Sequence, residues 1–152
     1  MAMASVDAAE VVNCFFEAYR THDVERMVDL CDEMARYRSL PFEVWRKQRV
    51  IRADGKANTV GKILWTGLIE SFPDLTNTVT RIISDNDGNV AAEVVISGTQ
   101  AKHWSSVESQ GRSFQSPHLF VFHVNGDGKI DNIRSYSDNA DVRTQLGCLD
   151  VD

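Results

Sequence analysis

The sequence predicts an α+β fold in which a strongly curved antiparallel sheet wraps over helices from the N-terminal half, closed by one short C-terminal helix. Three observations carry that reading. Apolar residues recur at three- and four-residue steps before about residue 74 and at two-residue steps after it, the periods of a helix and of a half-buried strand. The later β runs are joined by short Asp/Asn/Gly turns, which makes them antiparallel hairpins, and helices collected ahead of hairpins indicate α+β. With 152 residues, 43% of them hydrophobic, the chain has the size of one compact domain, and 1–152 is read as a single unit without repeat or linker.

Each element has its local cause. From Asp7 to Arg20, Ala8, Val11, Val12, Phe15, Ala18 and Tyr19 form one helical stripe, entered through Ser5 or Asp7 as cap. Asp23 caps a second helix whose stripe is Val24, Met27, Val28 and Cys31, ending at Asp32-Glu33. Ala35 to Phe42 alternates like a strand that Pro41 confines to an edge or an end, and Val44 to Arg52 is either a strand or an irregular arm. Ala53-Asp54-Gly55-Lys56 reads as a turn before a third helix, capped by Thr59, with Ile63, Leu64, Gly67, Leu68 and Phe72 on one face and Pro73-Asp74 after it. Thr78 to Ile83 and Val90 to Gln100 pair through the turn 85–89, and Phe114 to Val124 and Lys129 to Ser137 through Asn125-Gly126-Asp127-Gly128. The polar stretch 105–111 separates the two hairpins. Asn139 to Leu146 is a closing helix, with Ala140, Val142 or Arg143, and Leu146 inward, stopped at Gly147.

Composition narrows the function classes. The net charge of -6 opposes a nucleic-acid partner, although 36–62 holds eight of the 16 basic residues (Arg36, Arg38, Arg46, Lys47, Arg49, Arg52, Lys56, Lys62). That segment is either a solvated face or a recognition arm for a carboxylate or phosphate-bearing tail. No run of about 18 apolar residues suggests a membrane span, and MAMASVDAAE lacks the basic and apolar regions of a secretory signal, so the cytosol is the expected location. Three cysteines without C-x-x-C spacing are expected as free thiols.

A curved sheet closed by helices makes a cone with an apolar interior, a natural small-molecule pocket. The helix ending Ser71-Phe72-Pro73-Asp74-Leu75, the hairpins, and the ending Gly128-Lys129-Ile130, Tyr136-Ser137-Asp138-Asn139-Ala140 and Gln145-Leu146-Gly147 resemble the SnoaL-like polyketide cyclases of the nuclear transport factor 2-like (NTF2-like) superfamily. The resemblance covers about residues 8–147. It implies a cone-shaped α+β barrel and acid/base ring closure on a bulky apolar carbonyl compound without metal or cofactor. Isomerase or epoxide hydrolase activity, or a non-catalytic ligand-binding or interaction module, are the alternatives the same fold allows.

By that resemblance Asp138 occupies the general acid/base position, and a carboxyl desolvated in an apolar cone has the raised pKa such chemistry needs. By its place in the chain Asp138 is equally an N-cap of the closing helix. In extended geometry Arg134 and Tyr136 share its face, which makes Tyr136 a catalytic partner and Arg134 a substrate contact. His118 follows Pro117 on the strand that lines the pocket in the resembled group, where it can orient a carbonyl or be an ordinary half-buried histidine. His123, five residues on, points to the opposite face, so the two cannot share a metal. Tyr37, Trp65, Phe72, Trp104 and Phe120 are the large side chains expected around the ligand, with packing as the plain alternative. Phe120 stands where some cyclases carry a second polar group. The outer face of the long strands should be covered by a second copy, giving a homodimer.

Overall fold

The computed structural model describes residues 7–41 and 53–148. The arm 44–52, with Arg46, Lys47, Arg49 and Arg52, and the alternative cap Ser5 lie outside the described residues. In chain order the elements are α1 (Ala8–Arg20), α2 (Val24–Asp29), β1 (Cys31–Ser39), β2 (Ala53–Lys56), a π-helical turn (Ala57–Gly61), α3 (Lys62–Ser71), β3 (Thr76–Ser84), β4 (Asn89–Thr99), β5 (Ser113–Val124), β6 (Ile130–Tyr136) and α4 (Asn139–Gln145). None of the described helices is long and apolar enough to cross a membrane.

The class is α+β as expected, with two corrections to the sheet. Among the described residues its six strands run in the order β2-β1-β6-β5-β4-β3, and β1 lies parallel to β6, so the sheet is mixed. It is curved but not closed into a barrel: β2 and β3 remain as edges. The parallel pair arises because the whole α3-to-β5 excursion separates the two strands in sequence, and no hairpin turn dictates their direction.

Asp7 is the cap of α1, accepting from Glu10 N at 3.2 Å, and Asp23 caps α2 from Arg26 N at 3.1 Å. The second helix ends earlier than its stripe suggested, because Cys31 already pairs with Ile130 in the sheet. Ala53–Lys56, read as a turn, is instead a short edge strand antiparallel to β1, where Asp54 meets Arg36 at 2.5 Å and Arg38 at 3.7 Å. The Arg36 hydrogen bond holds the Asp54 carboxyl below its usual pKa. Thr59 is not a cap: the π turn occupies its place and α3 follows without a break. Gly61, at that junction, lies against the Trp65 ring, where an added Cβ would come within 2.8 Å of it.

The core lies between α1 and the concave face of the sheet. Phe15 and Phe16 are fully buried and meet Phe120, Phe122, Tyr19 and Trp65 edge-on, with centroids 5.1–6.4 Å apart. Besides a register shift between Cys31 and Arg36 of β1 against β6, two β-bulges shape the sheet. Thr80 is the extra residue of β3 opposite Val94 and Glu93, and Asp131 is the extra residue of β6 opposite His123 and Val124.

The second bulge brings Asp131 to the outer side of the sheet, where its carboxylate meets His123 Nδ1 at 2.6 Å, while His123 Nε2 lies 3.1 Å from Asp87 O. The Asp131 hydrogen bond raises the His123 pKa above its usual 6.5. With the folded value raised, the pair's stabilisation is fully present below about pH 6.5 and is lost as pH rises through the folded value. Urea midpoints taken across that window should decline for the wild type and flatten for His123→Gln; parallel curves would remove the pair from the pH dependence.

Candidate functional site

Between α3, the loop 100–112, α4 and the concave sheet face opens a cavity of about 480 Å3, within the usual range for a small-molecule site. The face of α3 expected as a packed stripe is turned to this space. Ile63, Leu64, Gly67, Leu68 and Phe72 all line it, so Leu64 and Leu68 are only half-buried and Ile63 is 74% exposed at the rim. Trp65 reaches past them into the core, 1% exposed.

From the sheet come Tyr37 and Ser39 of β1, Ile96 of β4, Phe114, His118 and Phe120 of β5, and Ser135 of β6, followed by Ser137, Asn139 and Val142. The loop contributes His103, Trp104 and Ser105. It is pinned by Ala101 N and the His103 carbonyl to Ser71, by a two-way backbone bridge between Trp104 and Val107, and by an Arg143 contact to Ser106 Oγ. Trp104 then packs edge-on against Phe72, with centroids 5.8 Å apart.

The structure therefore brings Tyr37, Trp65, Phe72, Trp104, Phe120 and His118 together around one cavity. It does not bring Asp138, Tyr136 or Arg134 there. On the last strand and its exit the inward positions are 133, 135, 137 and 139, and the even-numbered residues between them point the other way. Arg134 is exposed, and Asp138 caps α4, its carboxylate accepting from Asp141 N at 3.0 Å. A cap of this kind contributes about 1 kcal/mol. Asp138→Ala is expected to lower the unfolding free energy by about that amount and Asp138→Asn to leave it nearly unchanged; equal losses in denaturant titrations would show that the carboxylate does more than cap.

Sequence reasoning missed Ser39, Ser135, Ser137, Asn139 and Tyr19 as wall residues. Small hydroxyls carry little pattern of their own, and only their spacing from Ile133 marks them as inward.

His118 is the half-buried titratable base among the residues lining this cavity. Its ring stacks on Phe120, with centroids 6.0 Å apart and 19° between planes. Nδ1 lies 3.1 Å from the Ser116 carbonyl, to which it donates when protonated. That bond selects the tautomer with the lone pair on Nε2, the other edge of the ring. Burial in the apolar wall disfavours the imidazolium and lowers the pKa from 6.5 to about 4. The residue is neutral at pH 7. Tyr37, 2% exposed, has its pKa raised by burial, so its hydroxyl keeps its proton; it sits 3.4 Å from Ser135 Oγ. Among the described residues the cavity wall includes one carboxylate, Glu70, and that is exposed.

Comparison with known proteins agrees with this architecture. The chain superposes on IdmH, a candidate polyketide cyclase from Streptomyces antibioticus, with a TM-score of 0.76 and 25% identity over 93% of this chain and 99% of that one. AclR, a candidate hydroxylase from Streptomyces galilaeus, gives 0.76 at 16% identity over 96% and 88%. SalBIII, an epoxide hydrolase/cyclase-like enzyme of pyran ring formation in the polyether salinomycin, gives 0.63 at 18% over 86% and 89%. A search of the curated proteins found no significant match. The family model described as a SnoaL-like domain matches residues 12–133, and the chain belongs to that family, within the NTF2-like superfamily.

Proposed function

We propose that the protein is a cofactor-independent acid/base enzyme acting on a bulky apolar carbonyl compound, with His118 Nε2 as the base. The observation that supports this most is a neutral imidazole on the wall of a 480 Å3 cavity, its tautomer set by its own strand. A base whose conjugate acid has a pKa of about 4 abstracts protons only from an activated carbon. The carbon between two carbonyl groups is such a site, and loss of its proton gives the nucleophile of an aldol closure. Epoxide hydrolysis fits less well, because the carboxylate on the wall, Glu70, stands exposed. The likeness to IdmH supports the same substrate class.

The test uses deuterium exchange at the acidic carbon of 2-acetyl-1-tetralone, a bicyclic 1,3-diketone, followed by proton NMR. Wild type and Asp138→Asn should accelerate exchange, and His118→Phe should not. Acceleration by His118→Phe together with its loss in Asp138→Asn would transfer the role to the aspartate. Binding of the diketone without any accelerated exchange would favour a ligand carrier.

The outer sheet face carries a second proposal, homodimerisation. Ala91, Val95, Pro117, Leu119 and Val121 make an apolar face on β4 and β5, with Leu119 39% exposed, Glu93 between Ala91 and Val95 opposite Leu119, and Arg134 beside Val121 on β6. Sedimentation at micromolar concentration should show a dimer that Leu119→Lys converts to a monomer; a 17.0 kDa wild-type species would refute it.

A further inference from the structure

One polar atom of the cavity wall is left without a partner. Trp65 Nε1 is buried and, among the described residues, no group accepts its hydrogen in hydrogen-bond geometry, although an indole N–H can only donate. An unpaired buried donor is costly and uncommon, so it points to a missing acceptor. The indole packs against the Tyr37 ring with centroids 5.1 Å apart, and its N–H is turned toward the Tyr37 oxygen without reaching hydrogen-bond geometry. The Tyr37 hydroxyl lies 3.4 Å from Ser135 Oγ and also interacts with the Ser39 side chain. Two donors from different elements thus meet at the cavity wall, and one of them, the indole N–H, has no acceptor in hydrogen-bond geometry among the described residues.

We propose that Trp65 Nε1–H and Tyr37 Oη–H, with Ser135 beside them, form a receiving site for one oxygen of the ligand, a carbonyl that becomes an enolate. This deepens the proposed function and rests on it for the fate of that oxygen. The register places the site relative to the base. Phe120 lies opposite Ser135, and His118 is two residues along the same strand, so His118 and Ser135 are diagonal neighbours on one face. Such neighbours are about 7–8 Å apart. A carbonyl carbon and the adjacent acidic carbon fit between them, with the oxygen toward Trp65 and the C–H toward Nε2. Proton abstraction moves the C–H electron pair into the carbonyl, and the charge arriving on oxygen meets two fixed donors in an apolar surround. No other group changes oxidation state or leaves.

The experiment compares two ligands of one shape, 2-acetylnaphthalene and 2-isopropylnaphthalene, with 15N-labelled protein. The Trp65 indole signal, assigned by its absence in Trp65→Phe, should move downfield with the ketone and not with the hydrocarbon. Wild type should bind the ketone more tightly by about fivefold to tenfold, and Trp65→Phe and Tyr37→Phe should each lose most of that preference. Equal affinities, or an indole signal that responds alike to both ligands, would overturn the proposal. The wild-type spectrum decides this even if a variant fails to fold. Ketone preference with a shifted indole but no catalysed exchange on the diketone would keep the oxygen site and discard the enzymatic reading; exchange without preference would do the reverse.

Discussion

His118→Phe is expected to reduce catalysed exchange on the diketone by about 100-fold to 10,000-fold, the usual range for removing a general base. Phenylalanine fills nearly the same space and keeps the stack on Phe120, so fold and binding should survive while the proton acceptor is gone. The pH profile adds a check that a packing role would not pass. With a pKa near 4 the working neutral form is complete at pH 6 and disappears below pH 4, so the wild-type rate should be flat above about pH 5 and fall below it. Stability follows the same group with a worked sign. Its folded value lies below the unfolded 6.5, so the stability it contributes is present above pH 6.5 and is lost as pH falls toward 4, where the unfolded chain takes up the proton first. His118→Phe should remove that part of the acid sensitivity. A variant with unchanged exchange would exclude the histidine as base.

Phe15→Ala is the substitution expected to cost most stability, about 3–5 kcal/mol. Phe15 has no exposed surface and meets Phe16, Tyr19, Trp65 and Phe122 edge-on, with centroids 5.3–6.4 Å apart. Those rings come from two helices and a central strand, and so large a set cannot collapse into one void. For a chain of this length the loss corresponds to a midpoint lower by on the order of 10 °C. Trp65 would also lose its backing, so ketone binding should weaken in parallel. A change below about 1 kcal/mol in denaturant titrations would mean that the core repacks around the gap.

Most of the fold was legible in the sequence because its signals are local. Asp7 and Asp23 cap the helices they precede, the Asp/Asn/Gly turns join β3 to β4 and β5 to β6, and the alternation along β5 sends His118 inward and His123 outward. The aromatic wall was legible for a related reason. Tyr37, Trp65, Phe72, Trp104 and Phe120 are large enough that each must be buried somewhere, and a curved sheet over helices offers one interior.

What the sequence left undecided depends on partners far along the chain. The parallel pairing of β1 with β6, and the use of Ala53–Lys56 as an edge strand rather than a turn, are set by which strand lies alongside. The face of β6 was settled in the same way. Ile130 and Ile133 are both fully buried yet stand at odd separation, so by alternation alone one votes for 134, 136 and 138 as inward and the other for 133, 135 and 137. The bulge at Asp131 reconciles them by inserting one residue between the two isoleucines, and its carboxylate is held outside by His123. Beyond the bulge the odd positions look into the cavity, which gives the wall Ser135 and Ser137 and sends Asp138 to the helix cap. The sequence by itself determined the α+β class and named the aromatics and the histidine as candidates for its interior; the tertiary structure decided which polar groups share the cavity with them, because one extra residue in a strand exchanges its two faces.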